Sequence, residues 1–463
     1  YEQELRRNTG FPLNADGSVP EGIDTDTFTG LQNGIGEVDD TYVDAQIVHD
    51  FLDNLKLTVR GSYQRGNISY QNADGLYNFN NVDGVRGLSE ANPFVYTFYG
   101  FAGDIDNEVL FFDAQLAYQA EMFGQTQDFV IGASYDDTSF ERSFNSDTQS
   151  DPISLTDLDI PRVGPTTFTP LEPFDKTFLD LRSVFAETAL RPKDWLTIVA
   201  GVRYDSLEQE GERRGFESLL EEDEVTFRLG ASAAVVENLN VYLSFAEAFE
   251  PQGGRPQRSG EEVGPVLSTG YEAGLKGTLW NGRAGFEAAI FETTRENLAV
   301  ADPNNAFGED FQVTIGEIRL RGAEFSGNVA LLDTLDWTVS LGLIDTDVLE
   351  AGDDEVTPPF LIPEFNASSF VTYEVGEGNL EGLKLGGGFR HYGDSENGTI
   401  SNDAYTVADV NISYPIRDDI TLSADILNVF DEFYLETGPL PIVTSANQLG
   451  QPRTAVITDR ARF

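Results

Sequence analysis

Apolar and polar residues alternate singly along much of the chain. In Leu55-Lys56-Leu57-Thr58-Val59-Arg60-Gly61-Ser62-Tyr63 the odd positions are apolar or aromatic and the even ones are Lys, Thr, Arg and Ser. Successive side chains of a strand point to opposite faces, so this segment has one greasy face and one wet face. The same period returns at 225–233, 239–245, 271–279 and 420–426. Segments of this kind, about 10 to 15 residues long and separated by Gly, Asn and Asp, repeat from end to end and predict an all-β chain.

The spacing of turn signals orders the strands. Leu52-Asp53-Asn54, Glu237-Asn238, Asn281-Gly282 and Arg417-Asp418-Asp419 predict tight turns, Asn-Gly being the strongest cue. They alternate with long connections expected near 69–106, 142–176, 208–222, 253–268, 302–310, 350–359, 394–402 and 436–448. Short turns on one side and long loops on the other are the habit of membrane β-barrels. Counting in this way from residue 39 to the end gives about 17 strands.

What the two faces carry separates a membrane barrel from a soluble sandwich. The apolar faces are rich in Ala and Gly, too small to fill a core, while the opposite faces carry Lys, Arg, Glu and Asp. That chemistry suits lipid outside and a watery lumen inside, so the predicted fold is a transmembrane antiparallel β-barrel. Tyr63, Tyr118, Tyr135, Trp195, Tyr204, Trp280, Tyr373 and Tyr414 fall near strand ends, as interfacial aromatic girdles would. Mean hydropathy is only −0.27, and no run reaches the ~20 apolar residues of a spanning helix. Neither fact opposes a barrel, whose lipid face occupies every second residue.

Composition narrows the function. The 463 residues carry 79 acidic and 29 basic side chains, a formal net charge of −50, which excludes nucleic acid as a partner. Five of the basic residues are Lys; the rest are Arg. The acidity is read either as solvation of exposed loops or as a field drawing cations to a pore mouth. Acidic runs such as Glu221-Glu222-Asp223-Glu224 and Asp353-Asp354-Glu355 are read as solvated loops, without calcium-loop spacing. With no Cys there is neither a disulfide nor a thiolate metal site. His49 and His391 are the only histidines, and neither a phosphate-binding glycine loop nor a nucleophile elbow occurs, so no enzyme is expected.

Successive segments resemble TonB-dependent outer-membrane receptors of the ferric-siderophore type. They are Ala200-Gly201-Val202-Arg203-Tyr204-Asp205, 244–252, Tyr271-Glu272-Ala273-Gly274-Leu275-Lys276 and Arg321-Gly322-Ala323-Glu324. The likeness continues through Tyr405-Thr406-Val407-Ala408-Asp409, Asn428-Val429-Phe430-Asp431 and Gly450-Gln451-Pro452-Arg453-Thr454. The resemblance implies a roughly 22-stranded plugged barrel, of which residues 1–463 would be a single, N-terminally truncated barrel domain without its plug and first strands. It implies a monomer of the bacterial outer membrane, among lipid and lipopolysaccharide. TonB would act through the missing N-terminal part on uptake of a ferric siderophore. Haem, cobalamin or glycan cargo, or a passive porin, remain the alternatives. The chelated iron is cargo, so no cofactor and no protein metal ligand are expected. Asp459 departs from the apolar outward face expected of the last strand.

Three groups of residues are candidates for ligand contact. Tyr77, Phe79, Phe94, Tyr96, Phe98, Tyr99 and Phe101 place aromatic rings in what is expected to be a polar loop, and either grip a ligand by stacking or pack on each other. Arg255 and Arg258 stand out in an acidic chain and pair either with an anionic chelate or with loop acids. Phe389, Arg390, His391 and Tyr392 cluster at the outer end of a strand.

Overall fold

The alternating segments form strands, and the strands form one meander. The computed structural model of the chain describes residues 2–4, 35–77, 95–149, 153–154, 172–213, 216–252, 257–259, 262–302, 304–305, 311–350, 362–396, 401–436 and 449–461. In chain order the strands are β1 (Glu2–Glu4), β2 (Ile35–Leu52), β3 (Leu55–Tyr77), β4 (Val95–Met122), β5 (Gln125–Gln149), β6 (Ile153–Ser154) and β7 (Glu172–Lys193). There follow β8 (Leu196–Arg213), β9 (Phe216–Val236), β10 (Leu239–Glu250), β11 (Val266–Leu279), β12 (Ala284–Ala301), β13 (Gln312–Leu332) and β14 (Leu335–Glu350). The last are β15 (Phe365–Glu374), β16 (Lys384–Tyr392), β17 (Ser395–Glu396), β18 (Ser401–Asn402), β19 (Tyr405–Arg417), β20 (Ile420–Leu427) and β21 (Thr454–Ala461).

Seventeen of these are long, and each pairs antiparallel with the next long strand along the chain. The short β1 lies on three residues of β2, β6 lies on β4, and β17 pairs with β18. Among the described residues the free edges of the sheet are β21 and most of β2.

Cross-strand register keeps the two faces separate over the whole sheet. Tyr63 lies opposite Leu110, Phe112 opposite Tyr135, and Tyr204 opposite Val184 and Val225. Leu243 lies opposite Ala231 and Ala273, and Leu343 opposite Ala323 and Phe365. These residues face outward with nothing over them: Leu243 is 61% exposed, Ile290 62% and Leu343 56%. A soluble sheet would bury such a face. A wall one side chain thick, with a few buried apolar residues such as Ile318 and Val266, has no core in which to do so.

The apolar face forms a band. On β3 it runs from Leu55 to Tyr63, eight residue steps or about 27 Å along a strand, and about 20 Å tall once the strand is tilted by ~40°. Tyr118, Trp337, Tyr373 and Tyr414, with Trp195 and Trp280 in turns, mark the short-turn end; Tyr63, Tyr135, Tyr204 and Tyr271 mark the other. Beyond the second belt the same face turns charged, with Asp137, Glu208, Asp223, Glu292, Arg321 and Asp345.

The strands also continue beyond the band, and this corrects the expected loops. β8 and β9 stay paired out to Arg213 and Phe216, through the loop expected at 208–222. β3 and β4 stay paired out to Tyr77 and Thr97. Backbone hydrogen bonds close a ladder whatever the side chains are. Where both faces are mostly polar, however, alternation disappears and the sequence reads as loop.

Some glycines serve the polar face. A Cβ on Gly274 would stand 2.5 Å from the Tyr242 ring, so the ring lies flat across the neighbouring strand. Phe185 covers Gly132 in the same manner.

Candidate functional site

The polar face carries a chain of charge pairs along the wall. Arg60 Nε donates to Asp44 at 2.9 Å, Arg228 pairs with Glu187, and Arg390 reaches Asp409 at 3.2 Å. Tyr242 donates to Glu272 at 2.5 Å, with the Lys276 ammonium 5.4 Å above the Tyr242 ring centre. Where β7 meets β8, Asp205 accepts from Ser183 Oγ at 2.6 Å and from Arg203 Nε at 2.8 Å, and Arg203 Nη2 donates to Ser183 Oγ at 2.6 Å. Two shallow grooves open on this face. One of about 410 Å³ is lined by Phe185, Glu187, Arg203 and Arg228. The other, about 710 Å³ at the short-turn end, is lined by Asn240, Lys276, Glu287, Ser326 and Asn328. Each presents charged and hydrogen-bonding groups on the polar face.

The expected ligand residues are divided by the fold. On β16, alternation puts Arg390 and Tyr392 on the polar face and Phe389 and His391 on the apolar one. His391 Nδ1 lies 2.8 Å from Thr406 Oγ1 and its ring 5.7 Å from that of Phe365. Tyr392 stacks on Tyr405 at 5.1 Å and Tyr405 on Tyr434 at 4.4 Å, so Tyr392 ends a ladder of three rings. Arg258 is tied to the protein itself, through Asp302 at 3.0 Å, the Asn304 carbonyl at 3.2 Å and the Phe311 ring at 4.8 Å. Arg255, Phe79 and Phe94 lie outside the described residues. Tyr77, Tyr96, Phe98, Tyr99 and Phe101 lie on the extended ends of β3 and β4, not in a loop.

Sequence reasoning passed over a group at the long-connection end of the polar face. The Arg142 guanidinium sits 5.2 Å from the ring centre of Phe144 and 5.3 Å from that of Phe174. Arg213 lies over the same Phe174 ring at 5.2 Å and pairs with Asp175 at 2.6 Å. The sequence signal was faint: an Arg on the wet side of a strand in an acidic chain.

The connection between β10 and β11 is held down beside it. Gln209, almost fully buried, donates to the Gln252 carbonyl at 2.9 Å. Glu262, also buried, accepts from Ser218 Oγ at 2.7 Å. Burial pushes the Glu262 carboxyl above its ordinary range, opposed by hydrogen bonds from Ser218 and Gln209.

The late motifs have a structural task. Asn428, 1% exposed, donates through Nδ2 to the carbonyls of Glu432 and Gln451 at 2.8 and 3.0 Å. Its backbone N–H donates to Asp409 at 2.9 Å. Asp431 accepts from the Arg453 N–H at 2.9 Å. These residues close the connection from β20 to β21 instead of facing a ligand. Among the described residues no three His, Asp or Glu side chains gather as a metal site.

A family model described as TonB dependent receptor-like, beta-barrel matches residues 3–429. The ferric-pyoverdine M114 receptor of Pseudomonas sp. is 27% identical over 451 residues, 90% of this chain and 52% of that protein. The metal-pseudopaline receptor of Pseudomonas aeruginosa is 28% identical over 249 residues, 51% of this chain and 35% of that protein. The chain thus spans about a third to a half of these relatives. The solved ferric preacinetobactin receptor of Acinetobacter baumannii superposes with a TM-score of 0.81 at 18% identity, over 99% of this chain and 68% of that one. At that identity the likeness is one of fold.

Proposed function

Because the chain belongs to the TonB-dependent receptor-like β-barrel family, we propose that it forms barrel wall of an outer-membrane receptor that imports a ferric siderophore with energy from TonB. One observation supports this reading: a continuous wall whose outer band is apolar and bounded by two aromatic belts, as a lipid-facing band is, while its inner face is charged and hydrogen-bonded. The named activities of the matched relatives, reception of ferric pyoverdine and of metal-pseudopaline, support the choice of cargo.

In this reading the long-connection end faces outward and the receptor works as a monomer among lipid and lipopolysaccharide. It binds and passes its ligand without altering a covalent bond. Arg390 and Tyr392 face the lumen and are candidate contacts, whereas Phe389 and His391 face lipid. Deleting the full-length gene and measuring uptake of radiolabelled ferric siderophores under iron starvation tests the proposal. The expected result is loss of uptake of one chelate class, reproduced by deletion of tonB. Unchanged iron uptake together with expression indifferent to iron sinks it.

A further inference from the structure

Arg142 is out of place in a chain of net charge −50. Its strand neighbours on the polar face are Ile105 on one side and Asp175 on the other, and Asp175 is in turn opposite Arg213. Asp175 gives its close contact, 2.6 Å, to Arg213. No carboxylate among the described residues pairs with Arg142, whose Nε is buried without a hydrogen-bond partner there.

The two phenylalanines explain how such a group is held. Arg142 Cζ lies over both rings, at 5.2 and 5.3 Å, the favourable geometry for a cation over a π system. The rings are themselves 5.7 Å apart and tilted by 60°, so both lie to one side of the cation. A guanidinium makes its hydrogen bonds in its own plane, through its N–H groups. Contact with two rings restrains the cation before any ligand arrives. Its partly exposed side chain stands on the polar face at the long-connection end, where a ligand from outside would first meet the wall.

We propose that Arg142, with Arg213 beside it, forms an anion-receiving subsite for the cargo. It takes a ferric chelate bearing carboxylate or catecholate oxygens, and Arg142 is the residue that separates such a chelate from a neutral one. The proposal rests on the reading of the protein as a ferric-chelate receptor.

The test uses the full-length gene product in a host lacking its own siderophore receptors. Binding and uptake of radiolabelled ferric citrate, a ferric tris-catecholate and a neutral ferric tris-hydroxamate are compared. Wild type is expected to prefer an anionic probe, with affinity that falls as salt rises. Arg142→Gln is expected to weaken binding of that probe by about tenfold to a hundredfold without weakening the neutral one, and Arg142→Lys to recover part of the loss. Heat-modifiable migration checks that each variant assembles; if Arg142→Gln does not, Arg142→Lys and the salt dependence of wild type decide. Equal affinity for charged and neutral chelates, unmoved by salt or by Arg142→Gln, overturns the subsite and leaves the receptor reading intact. Failure of wild type to bind any of the probes overturns the receptor reading and the subsite with it.

Discussion

Asp205 joins β7 to β8 through side chains as well as backbone. Only 3% exposed, it accepts from Ser183 and Arg203. Replacing it by Ala leaves a hydroxyl and a half-exposed guanidinium without their acceptor. A buried pair broken on one side costs ~3–5 kcal/mol; solvent access to Arg203 lowers the expected loss to about 2 kcal/mol. The urea midpoint of unfolding in detergent should fall accordingly, and an unchanged midpoint contradicts the network. Glu262 gives a pH signature. Burial favours its neutral form, so the seating of the connection between β10 and β11 is firmest at low pH and weakens as pH rises above the ordinary carboxyl value of 4.5 towards the raised one. Protection from hydrogen exchange over 257–266, taken relative to the intrinsic amide rate at each pH, should fall through that window, and Glu262→Gln should remove the fall. Protection that stays flat with pH in wild type speaks against it.

Within a strand, adjacent positions belong to different solvents. Leu243 points to the apolar face, opposite Ala231 and Ala273; Ser244 points to the polar face, opposite Gly230 and Glu272. Arg in place of Leu243, near the middle of the band, is expected to cost about 2–4 kcal/mol and to impair assembly. Ser244→Arg, one residue away, should leave assembly near wild type; equal effects would refute the two-faced wall. The same logic explains how far the sequence could be read. Within the band, alternation was visible because one side of each strand is apolar. Beyond it β8 and β9 continue with residues such as Glu208, Gln209 and Glu210, polar on both sides, and only backbone pairing revealed them as strands. Phe389 to Tyr392 looked like one cluster in sequence, yet a period of two separates its members across the wall.

Across the whole molecule, a charge of −50 works against compaction. Ion pairs offset this locally, as at Arg321 with Asp345 and Asp347. Raising salt from about 0.01 M to about 1 M shortens the Debye length from ~30 to ~3 Å. Repulsion among unpaired acids is long-ranged, whereas contacts such as Arg213 with Asp175 are short and largely buried. The unfolding temperature of the assembled barrel in detergent is therefore expected to rise by a few degrees with salt. A fall would mean that surface ion pairs outweigh the repulsion.

The chain's own order of residues determined the all-β class, the number of long strands, the two faces and the aromatic belts. Each of these follows from a local period of two and from nearest neighbours in the chain. The tertiary structure decided which distant residues meet. Arg142, Phe174 and Arg213 come from three strands, and Asn428 reaches Gln451 across a connection. Side-chain alternation is set by adjacent peptide units, but cross-strand register is set by the pairing of whole strands.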